Sequence, residues 1–471
     1  MKTSSSPKPS PSMNDESTRL APRGMPLTLR SPCPDRDVRA FLRWLNLAPA
    51  RIENRSVPTQ RKLWRLMALA LGRRPRVASV THRTIAGPGG PIELRIFSAH
   101  PSKEPRPAFL WCHGGGFIVG GLDSGDSICR SIALATDCVV IAVRYRLAPE
   151  HPLTAGREDF LEALHWVAQF GACLGIDPDR LAIGGDSAGG NICAAVAQHT
   201  VRHNGPRLSL QVLAYPATDL VAEFPSLEEN ASGFLISQRL LRGVVAHIGE
   251  IPDADDPWLS PRRQPDLRGL APAMVISAGF DPIRDDGLDY AARLRAAEVP
   301  VDLLHYPGQV HGFLNFDALI DAGRDALHRI ACALNKAFSG DAAPDRTIEV
   351  ADAAPAPKAW PLRPITELLM TSLTGWATAE RVWLTLFGRL SPTTDQAARR
   401  LLESRLVPGD FLRRSAAAQS HALEARQTWP HATRLPCATS RQPHASSPPS
   451  AAASASHRLT PRKRSPKERT P

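Results

Sequence analysis

With 471 residues, of which 43% are hydrophobic and 22% charged, the chain has the composition of a globular protein and the length for two or three domains. Its net charge of +11 belongs to the ends: residues 340–471 carry 19 Lys/Arg against 11 Asp/Glu and residues 1–40 carry 7 against 4, while residues 41–339 balance at 31 against 31. That balance excludes a basic nucleic-acid footprint on the folded middle, and the eight cysteines, with no C-x-x-C spacing and mostly inside apolar runs, read as small buried hydrophobes in a reducing compartment.

Residues 1–30 are Ser/Pro-rich and read as a disordered arm. No apolar segment follows a basic start there, so no secretory signal is visible and a cytoplasmic location is expected. Between 34 and 75 apolar residues recur at helical spacing: Val38, Phe41, Leu42 and Leu45, then Leu63, Leu66, Met67 and Ala70. From about 77 the period changes to short strand-like runs: "ASVTHRTI", "IELRIFSA", "PAFLWC", "CVVIAVRY", "RLAIGG", "LSLQVLAYP", "AMVISAGF" and "VDLLHYP". Several are almost continuously apolar, as strands covered on both faces are. Helical patterns at 126–136, 156–174, 188–203, 285–297 and 317–337 separate them. Strand alternating with helix specifies an α/β fold with a mostly parallel sheet. Residues 218–271 interrupt the alternation and read as an insertion over the sheet's edge. After 338 the pattern decays into a Pro/Ala-rich linker (339–363), one or two amphipathic helices (364–415) and a basic, disordered tail (416–471).

The stretch "GGDSAGGN" at 184–191 lies between the strand "RLAI" and a helical pattern. Gly185, Asp186, Ser187, Ala188 and Gly189 match G-x-S-x-G, which lifts a serine on a strained strand-to-helix turn at the top of a sheet. A serine needs a general base, and the base needs an orienting carboxylate. Asp281, directly after "AMVISAGF", and His311, four residues after "VDLLHYP", both follow strand ends, where such sheets gather their ligands. The order Ser, Asp, His is the one this elbow uses. His305 lies inside a strand pattern, Asp285 and Asp286 open a helix, and His113 and His151 adjoin turn residues; structural roles suit these better. In "WCHGGGF" (111–117), three glycines after a strand bare their N–H groups; Gly115, Gly116 and Ala188 are the candidate oxyanion donors.

The set "HGGGF", "YRLAPEH", "GGDSAGGN", "SLEENASGF", "DPWLSP", "DPIRDDG" and "VHGF", in this order, resembles the hormone-sensitive-lipase family of α/β-hydrolases, bacterial carboxylesterases above all. The resemblance covers about residues 34–338. It implies an α/β-hydrolase fold over residues 31–338, an eight-stranded, mostly parallel sheet flanked by helices, with a helical cap from 34–75 and 218–260. It also implies ester hydrolysis of a small-molecule substrate by Ser187, His311 and Asp281, with Gly115, Gly116 and Ala188 as oxyanion donors and no cofactor or metal. Trp111 and Thr154 stand where the family often has Tyr and Pro. The alternative is a ligand-binding protein of the same fold without turnover. The basic tail is read as solvated, with docking on an acidic membrane surface or a protein partner as the rival.

Overall fold

A strand covered by helices on both faces needs apolar side chains at successive positions. In the computed structural model, which describes residues 18–21, 24–47, 55–249, 251 and 253–351, every residue of Arg106–Cys112, Ala273–Phe280 and Val301–Val310 is buried. In chain order the elements are β1 (Thr18–Ala21), α1 (Arg36–Leu47), α2 (Val57–Leu71), β2 (Ser79–Gly87), β3 (Gly90–Ser98), β4 (Arg106–Cys112), α3 (Asp126–Ala135), β5 (Val139–Arg144), α4 (Leu153–Phe170), β6 (Ile176–Asp186), α5 (Ala188–Arg202), β7 (Leu208–Ala214), α6 (Pro225–Glu229), α7 (Gln238–Ile248), β8 (Ala273–Phe280), α8 (Arg284–Ala296), β9 (Val301–Val310), α9 (Asp321–Phe338) and β10 (Arg346–Val350). The strands form one sheet in the order β1-β10-β9-β8-β7-β6-β4-β5-β3-β2. Strands β4 to β10 run parallel, and β1, β2 and β3 pair antiparallel.

Successive side chains of a strand point to opposite faces, so the central strands feed two cores. Leu110, Ile183 and Val275 join the core that α4, α5 and α8 cover. Trp111, Ala182 and Ile276 join the one beneath α1, α3 and α9. The sheet's parallel direction brings the C-terminal ends of β4, β6, β8 and β9 to one rim, where the loops that carry chemistry emerge.

The eight strands expected from sequence are ten. The strand β10 lies inside the stretch read as a linker, and β1 inside the arm read as disordered. "RTIEV" is too short to show a period, and Ala and Pro on both sides hide it. It becomes a strand because the edge of β9 offers unpaired N–H and C=O groups, on which it pairs from Arg346 opposite Asp302 to Glu349 opposite His305. Residues before α1 follow the same edge: the Thr28 N–H donates to Glu349 Oε1 (3.3 Å), as does that of Leu27, and the Ser31 N–H donates to Pro307 O (2.9 Å). All described residues belong to the unit Met1–Ser404. The expectations for residues 1–17, 364–415 and 416–471 lie outside the described residues.

Arg295 of α8 fastens this edge. Its guanidinium donates to Asp345 Oδ1 (2.9 Å), Gly24 O (2.9 Å), Thr347 Oγ1 (3.1 Å), Val301 O (3.0 Å) and Arg346 O (2.6 Å). Replacing Arg295 with alanine removes a donor from three backbone carbonyls, of which Gly24 O keeps the Thr347 hydroxyl (2.6 Å), at a cost of about 2 kcal/mol. Urea unfolding of Arg295→Ala is expected to show that loss while activity per folded molecule stays at the wild-type level. An unchanged midpoint would mean that β10 holds without the clamp.

The stretches assigned to the cap supply α1, α2, α6 and α7. Arg61 of α2 donates to Ile118 O (2.8 Å) and Ala148 O (2.9 Å) and pairs with Glu150 (2.7 Å). Helix α7 has no fully buried residue, and its Val244 stands over the glycine loop: a Cβ on Gly116 would lie 3.1 Å from it.

Candidate active site

Between β6 and α5 the chain reverses at Ser187, whose φ of 56° and ψ of −119° are costly for any residue with a side chain. The turn closes only because its flanks lack Cβ atoms. One on Gly189 would lie 2.1 Å from Cys112 O, and one on Gly185 would lie 2.5 Å from the Gly189 backbone. The turn is held by the Ser187 N–H donating to Ala214 O (2.9 Å), and by the N–H groups of Asn191 (3.1 Å) and Ala217 (3.3 Å) donating to Ser187 O.

The loops after β8 and β9 bring Asp281 and His311 to this serine. His311 Nε2 lies 2.8 Å from Ser187 Oγ, and its Nδ1 lies 2.8 Å from Asp281 Oδ2. Asp281 is fully buried, and its other oxygen accepts the Ile283 N–H at 2.9 Å. A carboxylate only accepts, so this network assigns the ring proton to Nδ1 and leaves the Nε2 lone pair facing the hydroxyl. Residues 124 and 30 positions apart thus form one hydrogen-bonded line. Such a line is able to deprotonate Ser187 as its oxygen attacks a carbonyl.

The glycine loop after β4 lies against the elbow. Gly115 has a φ of 126°, its carbonyl accepts the N–H groups of Ile118 (3.2 Å) and Val119 (3.0 Å), and Gly116 has a φ of 58°. Among the described residues, none accepts the N–H of Gly115, Gly116 or Ala188. Asp186, which the motif treats as a free position, ties the parts together. Its Oδ1 accepts the Gly114 N–H (2.8 Å) and its Oδ2 accepts the Asn315 side-chain amide (2.9 Å), so the elbow, the glycine loop and the histidine loop share one carboxylate. Burial pushes its pKa up, against the pull of those two donors and of His311. Nothing local in the sequence marks Asp186 or Asn315 for this role, because their partners are 72 and 129 residues away.

The rival residues are otherwise engaged. His113 stacks on Tyr145 with ring centroids 4.3 Å apart, and burial pulls its pKa down to about 4. Asp285 accepts the Ser226 N–H (2.9 Å), Asp286 accepts the Thr218 N–H (2.6 Å) and hydroxyl (2.5 Å), and His151 is exposed. His305 is buried in β9, where Nε2–H donates to Leu29 O (2.9 Å) and Nδ1 therefore accepts from Ser277 Oγ (2.7 Å). Among the described residues, no three His, Cys, Asp or Glu side chains converge so as to hold a metal ion.

Burial pulls the His305 pKa down to about 4. In the unfolded chain an imidazole takes its proton near about 6.5, so between those values the unfolded state binds the extra proton. The stability this group contributes is therefore complete above about 6.5 and lost as pH falls toward 4. The opposite slope comes from Asp286, which burial raises to about 7, so the comparison must isolate His305. Relative to His305→Gln, the wild type is expected to lose a few kcal/mol of unfolding free energy between about pH 7 and 4. Parallel curves for the two proteins would show that His305 is not held neutral.

A family model described as the alpha/beta hydrolase fold matches residues 109–315. An esterase, LipI, of Mycobacterium tuberculosis is 39% identical over 265 residues, which cover 55% of this chain and 83% of the relative. An ethyl acetate hydrolase of Pseudomonas putida is 36% identical over 255 residues, 53% of this chain and 79% of the relative. Among solved structures, an ester-hydrolase from the metagenome of Lake Arreo, complexed with a bipyridine phosphonate derivative, is 33% identical with a TM-score of 0.62; the match covers 64% of this chain and 99% of that one.

Proposed function

We propose that this chain, which belongs to the hormone-sensitive-lipase-like family of α/β-hydrolases and is an esterase, cleaves its substrates through an acyl-enzyme on Ser187. The observation that carries this reading is the line from Ser187 Oγ to His311 Nε2 and from Nδ1 to Asp281 Oδ2, 2.8 Å at each step. Ser187 Oγ attacks the ester carbonyl carbon as His311 Nε2 takes its proton, and Asp281 holds the imidazolium that forms. The negative oxygen of the tetrahedral intermediate accepts from the N–H groups of Gly115, Gly116 and Ala188. Collapse breaks the bond to the alcohol, which leaves with the proton from His311. A water molecule, deprotonated by the same nitrogen, then attacks the acyl group, and a second collapse frees the acid and returns the proton to Ser187.

Short to medium acyl chains suit this site. Val244 of α7 crowds Gly116, so the room beside the oxyanion loop is limited there, and one relative is named for hydrolysing ethyl acetate. The seven described cysteines are free, in keeping with a reducing compartment, and among the described residues no helix is long and apolar enough to cross a membrane. Two measurements test the proposal. Turnover of p-nitrophenyl esters of rising chain length is expected to peak among the shorter acyl groups. A fluorophosphonate is expected to label Ser187 at one equivalent per chain and to abolish that turnover. Labelling at another residue with complete loss of activity would overturn the assignment.

A further inference from the structure

A buried cation is expensive unless something compensates it, and Arg157 on α4 is fully buried. Among the described residues its hydrogen bonds go only to neutral oxygens: Nη1 donates to Leu153 O (2.6 Å), and Nη2 to Asn191 Oδ1 (2.5 Å) and Leu259 O (3.1 Å). Its Nε has no acceptor there. Burial lowers its pKa to about 10, which still leaves it charged at neutral pH.

Its neighbours are the two chain segments that carry the candidate oxyanion donors. On one side, the guanidinium carbon lies 5.2 Å from the ring centroid of Phe117, the residue after Gly116, which is itself held at a φ of 63°. On the other side is Asn191, in the first turn of α5. The Asn191 N–H donates to Ser187 O (3.1 Å), and its side-chain amide donates to Ala217 O (2.6 Å) and Leu259 O (2.9 Å). The Ala217 N–H donates in turn to Ser187 O (3.3 Å). One planar cation therefore touches the glycine loop through Phe117 and the elbow helix through Asn191.

We propose that Arg157 is a positioning residue that keeps the Gly115 and Gly116 N–H groups at the right spacing from that of Ala188, and whose fixed charge strengthens the potential felt by the oxyanion. Away from water such a charge is weakly screened. The inference rests on the oxyanion reading given above and adds the group that sets its geometry. If Arg157 only filled space, a hydrophobic side chain of similar volume would serve as well or better, since burying a charge costs more than burying a thioether.

The test is Arg157→Met in the full chain, assayed with a p-nitrophenyl ester, with an alkylboronic acid that forms a tetrahedral anionic adduct on the serine, and with the trigonal carboxylic acid product. The expected result is a fall in kcat on the order of 10²-fold, matched by weaker boronate binding, with KM and product inhibition held. Arg157→Lys is expected to recover part of kcat, because it restores the charge without the planar fork. Wild-type kcat and boronate affinity in folded Arg157→Met would overturn the proposal. If that variant does not fold, Phe117→Leu decides: it removes the ring and keeps the cation, and kcat and boronate affinity are expected to fall together while KM holds. Unchanged values in Phe117→Leu would then overturn it. Were the wild type itself inactive on every ester, or Ser187→Ala as active as the wild type, the failure would belong to the acyl-enzyme reading instead.

Discussion

Ser187→Ala is expected to lose ester hydrolysis by 10³-fold or more, on the order seen when a nucleophile of this kind is removed, with the chain still folded. In the proposed mechanism the hydroxyl oxygen bonds to the acyl carbon, and alanine offers nothing in its place. A residue of activity over water is expected to remain, because in the proposed mechanism the N–H groups of Gly115, Gly116 and Ala188 still polarise a bound carbonyl. The fold has little reason to change. Ser187 Oγ makes its hydrogen bond to His311, and the backbone bonds of the turn, from Ser187 N–H to Ala214 O (2.9 Å) and from Asn191 N–H to Ser187 O (3.1 Å), involve no side chain. Alanine keeps a Cβ at the strained φ of 56°, so Tm is expected to hold, whereas Ser187→Gly is expected to raise it by relieving the strain. The check is kcat/KM on a short p-nitrophenyl ester, beside a thermal melt. Near-normal turnover in a folded Ser187→Ala protein would remove Ser187 from the mechanism.

Asp281→Asn is expected to cost kcat about 10⁴-fold with little change in KM, although it alters one atom and no charge on the serine or the histidine. The reason is geometric. One oxygen of Asp281 accepts the Ile283 N–H at 2.9 Å and the other accepts from His311 Nδ1 at 2.8 Å. An amide has a single oxygen, and the backbone N–H of Ile283 cannot rotate away from it. The amide oxygen therefore stays on Ile283 and the NH₂ group turns toward the ring. The imidazole must then present a lone pair at Nδ1 and carry its proton on Nε2, the tautomer that is unable to take a proton from Ser187. Asp281→Ala, which imposes no tautomer, is expected to lose less. Steady-state kinetics of both variants check this, and equal losses would mean that Asp281 acts through its charge alone.

Much of this was legible one segment at a time. Strands β4, β8 and β9 stand out as largely apolar runs because a strand buried on both faces has few positions for a polar side chain. The elbow is legible because its constraint is local: a turn this tight excludes a Cβ at Gly185 and Gly189, and the chain carries glycine there whatever lies around it. Asp281 and His311 follow strands, so their arrival at the same rim is implied by a parallel sheet. The strand β10 was not legible. Its five residues have no period of their own and depend on the open edge of β9 and on the Arg295 clamp.

The sequence by itself therefore determined the α/β alternation, the serine turn and the order of its partners, since each depends on backbone sterics or burial within a few residues. Only the tertiary structure decided which groups those elements bring into contact. Asp186 joins Gly114 to Asn315, Arg157 reaches both Phe117 and Asn191, and β10 closes an edge opened by β9. These contacts bridge tens to hundreds of residues. A charged or short apolar residue looks the same in sequence whether water or a buried partner will satisfy it, and only the packing of the loops over the sheet tells the two apart.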